Sequence, residues 1–313
     1  MSKAKLKKRE SVFAFLKKDF QRNKIIYLML LPVVAYFVIF HYLPMYGASI
    51  SFKQYDIVKG IGGSKWVGFK HFIRFFNSPL FSRVTFNTFI INSYMLIFGF
   101  PAPIILALML NEVKSRIFKR TVQTISYLPH FISIVVISGI IIQFTAKDGL
   151  INDILEFLNM ERISMLIQPK MFRPIYVITG IWQEIGWESI IYLSALSAIN
   201  QELYEAARID GAGRWRQIIS VTIPGIMPTI VIMIIMRIGS MMNVGYEKII
   251  LLTNQNTYET GEVISSYVYR TTLVNLSSYD YGTAIGLFNS VINLTLLVFA
   301  NYISKAVSET SLW

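Results

Sequence analysis

The chain has 313 residues, 54% of them hydrophobic and 15% charged, with a formal net charge of +12 and no cysteine. A soluble domain is about 45–50% apolar and about 25% charged, so this apolar surface must face something other than water. The missing cysteines exclude a disulfide framework, a cysteine metal site and a thiol nucleophile.

Six runs of mostly apolar residues lie near 25–44, 84–110, 122–144, 174–198, 221–242 and 283–304. Each reaches the length of about 20 residues that crosses roughly 30 Å of hydrocarbon. Their residues are apolar all round rather than on one stripe, which argues against a soluble helical bundle. The first run follows the basic segment Met1 to Lys24. A signal-peptide core is only about 7–15 residues, so a run from Ile25 to Leu43 reads as an uncleaved anchor. Residues 45–83 are too long for a tight turn and contain aromatics; they are expected to pack on the outer face, partly as a short interfacial helix.

Lysine and arginine concentrate in the cytoplasmic segments of membrane proteins. With the N-terminus inside, segments 1–24, 111–121, 199–220 and 305–313 hold 17 of the 30 basic residues. The longer outer segments 45–83, 145–173 and 243–282 hold 12. Both termini are thus expected in the cytoplasm of a multi-pass plasma-membrane protein. The charge then signals topology and contact with membrane lipid. Nucleic acid is not expected as a partner, because the basic residues form no continuous stripe with aromatics.

Ionisable residues inside a span face a cavity or a partner. The fourth run carries Trp182, Gln183, Glu184, Trp187 and Glu188, and the fifth carries Arg237. Glu184 and Glu188 share a face by four-residue spacing. Two readings stand: an ion pair of Arg237 with Glu184 or Glu247, or a translocation pathway that bonds a polar solute. Asn289 and Asn293 share a face of the last run, and interhelical hydrogen bonding is the first expectation for them. His41, His71 and His130 show no ligand spacing, and no metal site is expected.

Between the fourth and fifth runs, Gln201 to Pro224 reads as helix, turn, helix. Glu202 to Ile209 are good helix formers. Gly211 and Gly213 are expected to end the helix, and Pro224 falls in the first turn of the next one. The result is a short helix across the inner face, with Ala206 and Ala207 permitting close approach to a partner.

Glu205-Ala206-Ala207, three residues, Gly211, nine residues, then Val221-Thr222-Ile223-Pro224 resembles the signature of ABC importer permeases. Tyr127-Leu128-Pro129-His130-Phe131, Gly186-Trp187 and Ile190-Ile191-Tyr192-Leu193 resemble the Gram-positive oligosaccharide and lipoprotein-permease subgroup of the maltose-type permeases. The resemblance implies an all-α membrane protein of six transmembrane helices with the type I importer fold. Residues 1–83 would form tail, first helix and extracellular segment, and 84–304 a five-helix core containing coupling helix 202–213. Residues 305–313 would form a cytoplasmic tail.

It further implies that Glu205, Ala206, Ala207, Asp210, Gly211 and Pro224 couple the chain to ABC ATPase subunits. A second permease subunit and an extracellular lipid-anchored binding protein delivering an oligosaccharide would complete the assembly. No Gly-x4-Gly-Lys-Ser/Thr loop occurs, so no cofactor is expected on this chain and ATP would be hydrolysed by the partner. A secondary transporter or channel would leave the signature unexplained. A membrane enzyme would need a convergent nucleophile, base or metal cluster, and none is apparent.

Overall fold

The computed structural model of the chain describes residues 19–274, 278–308 and 311–313, and Lys24–Phe37 forms helix α1. Residues 1–18 of the basic tail and 309–310 of the C-terminal tail lie outside the described residues. α1 continues through helical turns to Phe52, giving a 29-residue apolar segment. No residue of α1 is buried; its Leu, Ile and Val side chains point outward all round, as a helix in hydrocarbon does.

The segment that follows adds a small sheet to the helical fold. Strands β1 (Lys53–Gln54) and β2 (Lys65–Trp66) pair antiparallel, with Lys53 opposite Trp66. In the turn between them the Asp56 carboxylate accepts the backbone N–H groups of Val58 and Lys59 at 2.9 and 3.3 Å. These bonds hold it below the usual carboxylate range. Helix α2 (Lys70–Phe76) comes next, a short helix in the region where one was expected.

The remaining α-helices of five or more described residues, in chain order, are α3 (Phe81–Tyr94), α4 (Pro101–Glu112), α5 (Arg116–Tyr127), α6 (Ile134–Thr145), α7 (Leu150–Phe157), α8 (Pro169–Ser197), α9 (Gln201–Ile209), α10 (Ile223–Gly239), α11 (Tyr246–Leu252), α12 (Ile264–Val268) and α13 (Tyr279–Ser308). A widened turn, Met95–Gly99, joins α3 to α4. Pro101 and Pro103 follow it and interrupt the regular backbone ladder.

Among the described residues, five segments are long and apolar enough to cross a membrane: Lys24–Phe52, Phe81–Glu112, Ile134–Phe157, Arg214–Gly239 and Tyr279–Ala306. Two differ from expectation. The third was expected at 122–144, yet the chain breaks there: Leu128–Phe131 is a tight turn and Ile132 is extended. Pro129 cannot donate to the helical ladder. Ser133 then caps α6 by accepting the Val136 N–H at 3.4 Å, so the apolar helix starts about ten residues late and bends near Gly149. The fourth expected run is the 29-residue helix α8. It is long enough, but Gln183, Glu184 and Glu188 dilute its apolar character, so it falls outside the five.

α8 is the axis of the fold. Near its start, Phe172 packs with Ile91, Ile137, Ile141, Val244, Ile249, Leu252 and Val263. Near its end, Tyr192 and Leu196 pack with Ala107, Ile199 and Ile226. Phe172 and Leu196 are separated by about 36 Å along the helix at 1.5 Å per residue. The polar residues of α8 lie between these two apolar clusters. A third cluster joins α2, α3, α12 and α13 through Phe75, Val84, Ile264, Tyr281 and Ile285.

A buried carboxylate locks the first-mentioned end. Glu262 is 2% exposed and is held by Arg83, at 2.5 Å, and by Arg270. Asn87 donates to the Glu259 and Glu262 carbonyls at 3.0 and 2.9 Å and accepts from Arg173 at 2.7 Å. α3, α8 and the 258–262 turn are thereby joined by paired polar groups, which a nonaqueous surround demands.

Candidate functional site

Two places gather the residues singled out in the sequence: an exposed surface helix and a polar cavity. The surface helix is α9. Asn200 caps it, its side chain accepting the Glu202 N–H at 3.1 Å and donating to the Glu202 carboxylate at 3.0 Å. At the other end Gly211 has φ +77. The Ala212 N–H donates to Ala207 O at 2.8 Å and the Gly211 N–H to Arg208 O at 3.0 Å. This pair of bonds is a Schellman closure, which needs a left-handed residue after the helix. Gly211 therefore serves the backbone; open space surrounds the position where a Cβ would stand. Gly213, expected as a second stop, is extended and precedes the turn Arg214–Gln217.

α9 is fastened to α10. The Tyr204 hydroxyl lies 3.0 Å from Thr222 Oγ1, in the widened turn Ile218–Thr222 that enters α10. Gln217 Nε2 donates to Ala212 O at 2.7 Å. Glu205, Ala206, Asp210, Gly211 and Pro224 are exposed and Ala207 is half-buried. Leu203, Ile209 and Trp215 are exposed beside them. α9 is therefore bonded to the start of a helix long and apolar enough to cross a membrane.

The cavity, about 390 Å³, opens beside the middle of α8. Tyr176, Gly180, Gln183 and Glu184 of α8 line it, with Asn92 from α3, Arg237 from α10, and Asn243 and Lys248 from the segment that follows α10. Gln183 is buried. Glu184 Oε2 lies 2.8 Å from His130 Nδ1, and the His130 ring stacks on Trp187 with centroids 4.4 Å apart and planes 3° apart.

The charge partners differ from those expected. Arg237 Nη1 faces Glu188 Oε1 at 3.5 Å rather than Glu184 or Glu247. Glu184 instead takes His130. The rotation of α8 about its axis decides which of the two carboxylates meets α10, and spacing alone does not fix that rotation. Asn289 and Asn293 both donate to Asn243 Oδ1, at 3.1 and 3.0 Å, and Asn293 Oδ1 accepts the Met242 N–H at 2.9 Å. They secure the loop that lines the cavity instead of another helix. Trp182 is exposed and lies outside the lining.

Residues 99–309 match the family described as the binding-protein-dependent transport system inner membrane component. The chain belongs to this family. The permease is 44% identical to Protein LplB of Bacillus subtilis (strain 168), over 94% of this chain and 92% of that protein. It is 42% identical to the polygalacturonan/rhamnogalacturonan transport system permease protein YteP of the same organism, over 93% and 91%. A chain in the crystal structure of a bacterial alginate ABC transporter, in complex with an alginate pentasaccharide-bound periplasmic protein, superposes with a TM-score of 0.86. That chain is 44% identical, and the match covers 94% of this chain and 99% of that one. The fold is that of type I ABC importer permeases, in a multi-pass membrane protein.

His130, which reaches the cavity only through Glu184, escaped sequence reasoning, and so did residues of the lining itself, among them Asn92, Asn243 and Lys248. The last leaves a signal, since Glu247-Lys248 is a charged pair at the head of the apolar run Ile249-Ile250-Leu251-Leu252. The Arg237–Glu188 contact gives a direct test. Arg237→Glu sets two carboxylates side by side and should lower the melting stability of the purified permease by about 1–2 kcal/mol, the scale of interhelical polar contacts. The exchanged pair Arg237→Glu with Glu188→Arg should recover most of it. A thermal-unfolding series checks both variants.

Proposed function

We propose that the permease is one transmembrane half of an ATP-driven importer for an oligosaccharide handed over by an extracellular, lipid-anchored binding protein. The observation that carries the reading is α9: an exposed, capped helix bearing Glu205-Ala206-Ala207 and Gly211, tied through Tyr204 to the entrance of α10. ABC ATPase subunits receive this helix in a groove. Glu205 meets basic or amide groups there, Ala206 and Ala207 allow close contact, and Asp210 and Gly211 shape the turn. Pro224 starts the helix that moves.

A second, similar permease chain forms the other half of the pore, and the two rock as rigid bodies to expose the cavity alternately to either side. Gln183, Asn92 and Asn243 offer donors and acceptors to sugar hydroxyls. The saccharides in the relatives' names support this substrate class. Both termini lie in the cytoplasm, α8 also crosses and brings the crossing helices to six, and α1 faces lipid or the partner permease. The chain itself binds no cofactor and catalyses no reaction; ATP is hydrolysed by the ATPase subunits.

Uptake of labelled oligosaccharide into proteoliposomes holding permease pair, ATPase and binding protein tests this. Uptake requires internal or external ATP on the ATPase side and the binding protein on the other. Accumulation driven by an ion gradient without ATPase would make the chain a secondary transporter.

A further inference from the structure

Lys248 stands out among the charged groups of the fold. It lies in α11 and is 6% exposed, yet it lines the cavity. Its ammonium sits 5.0 Å from the centroid of the Tyr176 ring and 3.8 Å from where a side chain on Gly180 would begin. Both of those residues line the same cavity. An ammonium carries three donors. Among the described residues no hydrogen-bond acceptor and no carboxylate within 4.0 Å takes any of them.

The nearby acids are otherwise engaged or remote. Glu184 is bonded to His130 and acts on Lys248 only through space. Glu188 faces Arg237, Glu262 is held by Arg83 and Arg270, and Glu247 is exposed at the cavity rim. A buried cation without an anion is strongly unfavourable, and in membrane proteins such groups mark a ligand or ion path. Beside the charged Glu184, Arg237 and Glu247, the lining offers Asn92, Gln183, Ser240 and Asn243 for hydroxyls and the rings of Tyr176 and Tyr246 for the apolar faces of a sugar.

We infer that Lys248 binds a carboxylate of the passing solute, so that the permease selects oligosaccharides bearing uronic acids over neutral ones. This rests on the importer reading above and names its substrate class. The anion gives the ammonium the direct partner that Glu184, acting only through space, does not supply, while Tyr176 holds the ammonium from behind. Lys248 is thus a specificity-determining residue of the transport route.

The test uses the complete transporter in proteoliposomes and two probes: a galacturonic acid trisaccharide and its carboxyl-reduced, neutral counterpart. Wild type should take up the acidic sugar in preference. Lys248→Gln should lower acidic uptake about 10- to 100-fold, the value of one charge-assisted hydrogen bond, and lower neutral uptake far less, so that the preference is lost. Lys248→Arg should restore most of the preference, which separates charge recognition from a folding defect. Equal loss of both sugars in Lys248→Gln, with no recovery in Lys248→Arg, would overturn the inference and make Lys248 structural or a contact to the partner permease. Wild-type uptake of the neutral sugar alone would also overturn it, with the importer reading intact. If wild type takes up neither sugar although ATP is hydrolysed, both readings fall.

Discussion

Glu205→Lys and Gly211→Asp should each abolish ATP-driven uptake while the permease remains folded. Glu205 is exposed on α9, and exposed substitutions of this kind usually change stability by no more than about 0.5 kcal/mol. At a docked interface the same reversal removes one partner of a charge pair and leaves the other unpaired. That loss is about 2–5 kcal/mol, roughly 30- to several-thousand-fold in affinity for the ATPase. Gly211→Asp acts through the backbone. Its φ of +77 is unfavourable for a residue with a Cβ by about 1–2 kcal/mol, and the new carboxylate adjoins Asp210. The Schellman closure loosens and α9 loses its set angle to α10. Copurification of the ATPase and coupled uptake are the readouts, with melting temperature as the control for folding.

Gly186 gives the second large effect. A Cβ there would lie 2.1 Å from the carbonyl oxygen of Ser126 and 2.3 Å from its carbon. These are backbone atoms of α5, so no rotamer change can relieve the clash. Gly186→Ala should cost about 1–3 kcal/mol and Gly186→Val more, up to loss of recoverable protein. The displaced segment also carries His130, so the His130–Glu184 bond should break in any Gly186→Ala protein that folds. Gly139, where open space surrounds the position, supplies the control: Gly139→Ala should leave folding unchanged. Fluorescence-detected unfolding of the solubilised permease checks the pair.

The two sites differ in how far they could be read from the residues. α9 was legible because its parts are local: the helix formers Glu202 to Ile209, the stop Gly211 and the start signal Pro224 lie within one short stretch. The crossing helices were legible wherever an unbroken apolar run is the whole signal. The third was misplaced because an apolar run from 122 to 144 hides the effect of Leu128-Pro129, where the ladder ends. α8 kept its place but not its apolar character, since its middle serves the cavity.

The cavity was half legible for the same physical reason. Gln183, Glu184 and Arg237 announce themselves as polar groups among apolar ones. Their partners come from elements distant in sequence, His130 before a helix break and Asn243 and Lys248 after α10, and these are fixed only by how the helices rotate against one another. The asparagines of α13 show it plainly: their spacing put Asn289 and Asn293 on one face, but only packing brings Asn243 to both.

The central claim is that α9 is the surface through which an ATPase moves this chain. The sequence contains no cysteine, so a single Ala206→Cys substitution supplies one unambiguous attachment point on α9. Treated with a short bifunctional thiol–amine cross-linker in the assembled transporter, this variant should join covalently to the ATPase subunit, with a yield that changes on ATP binding. Ile57→Cys, on the β1–β2 connection, should not. Absence of any ATPase adduct from Ala206→Cys in an assembly that still transports with ATP would contradict the account.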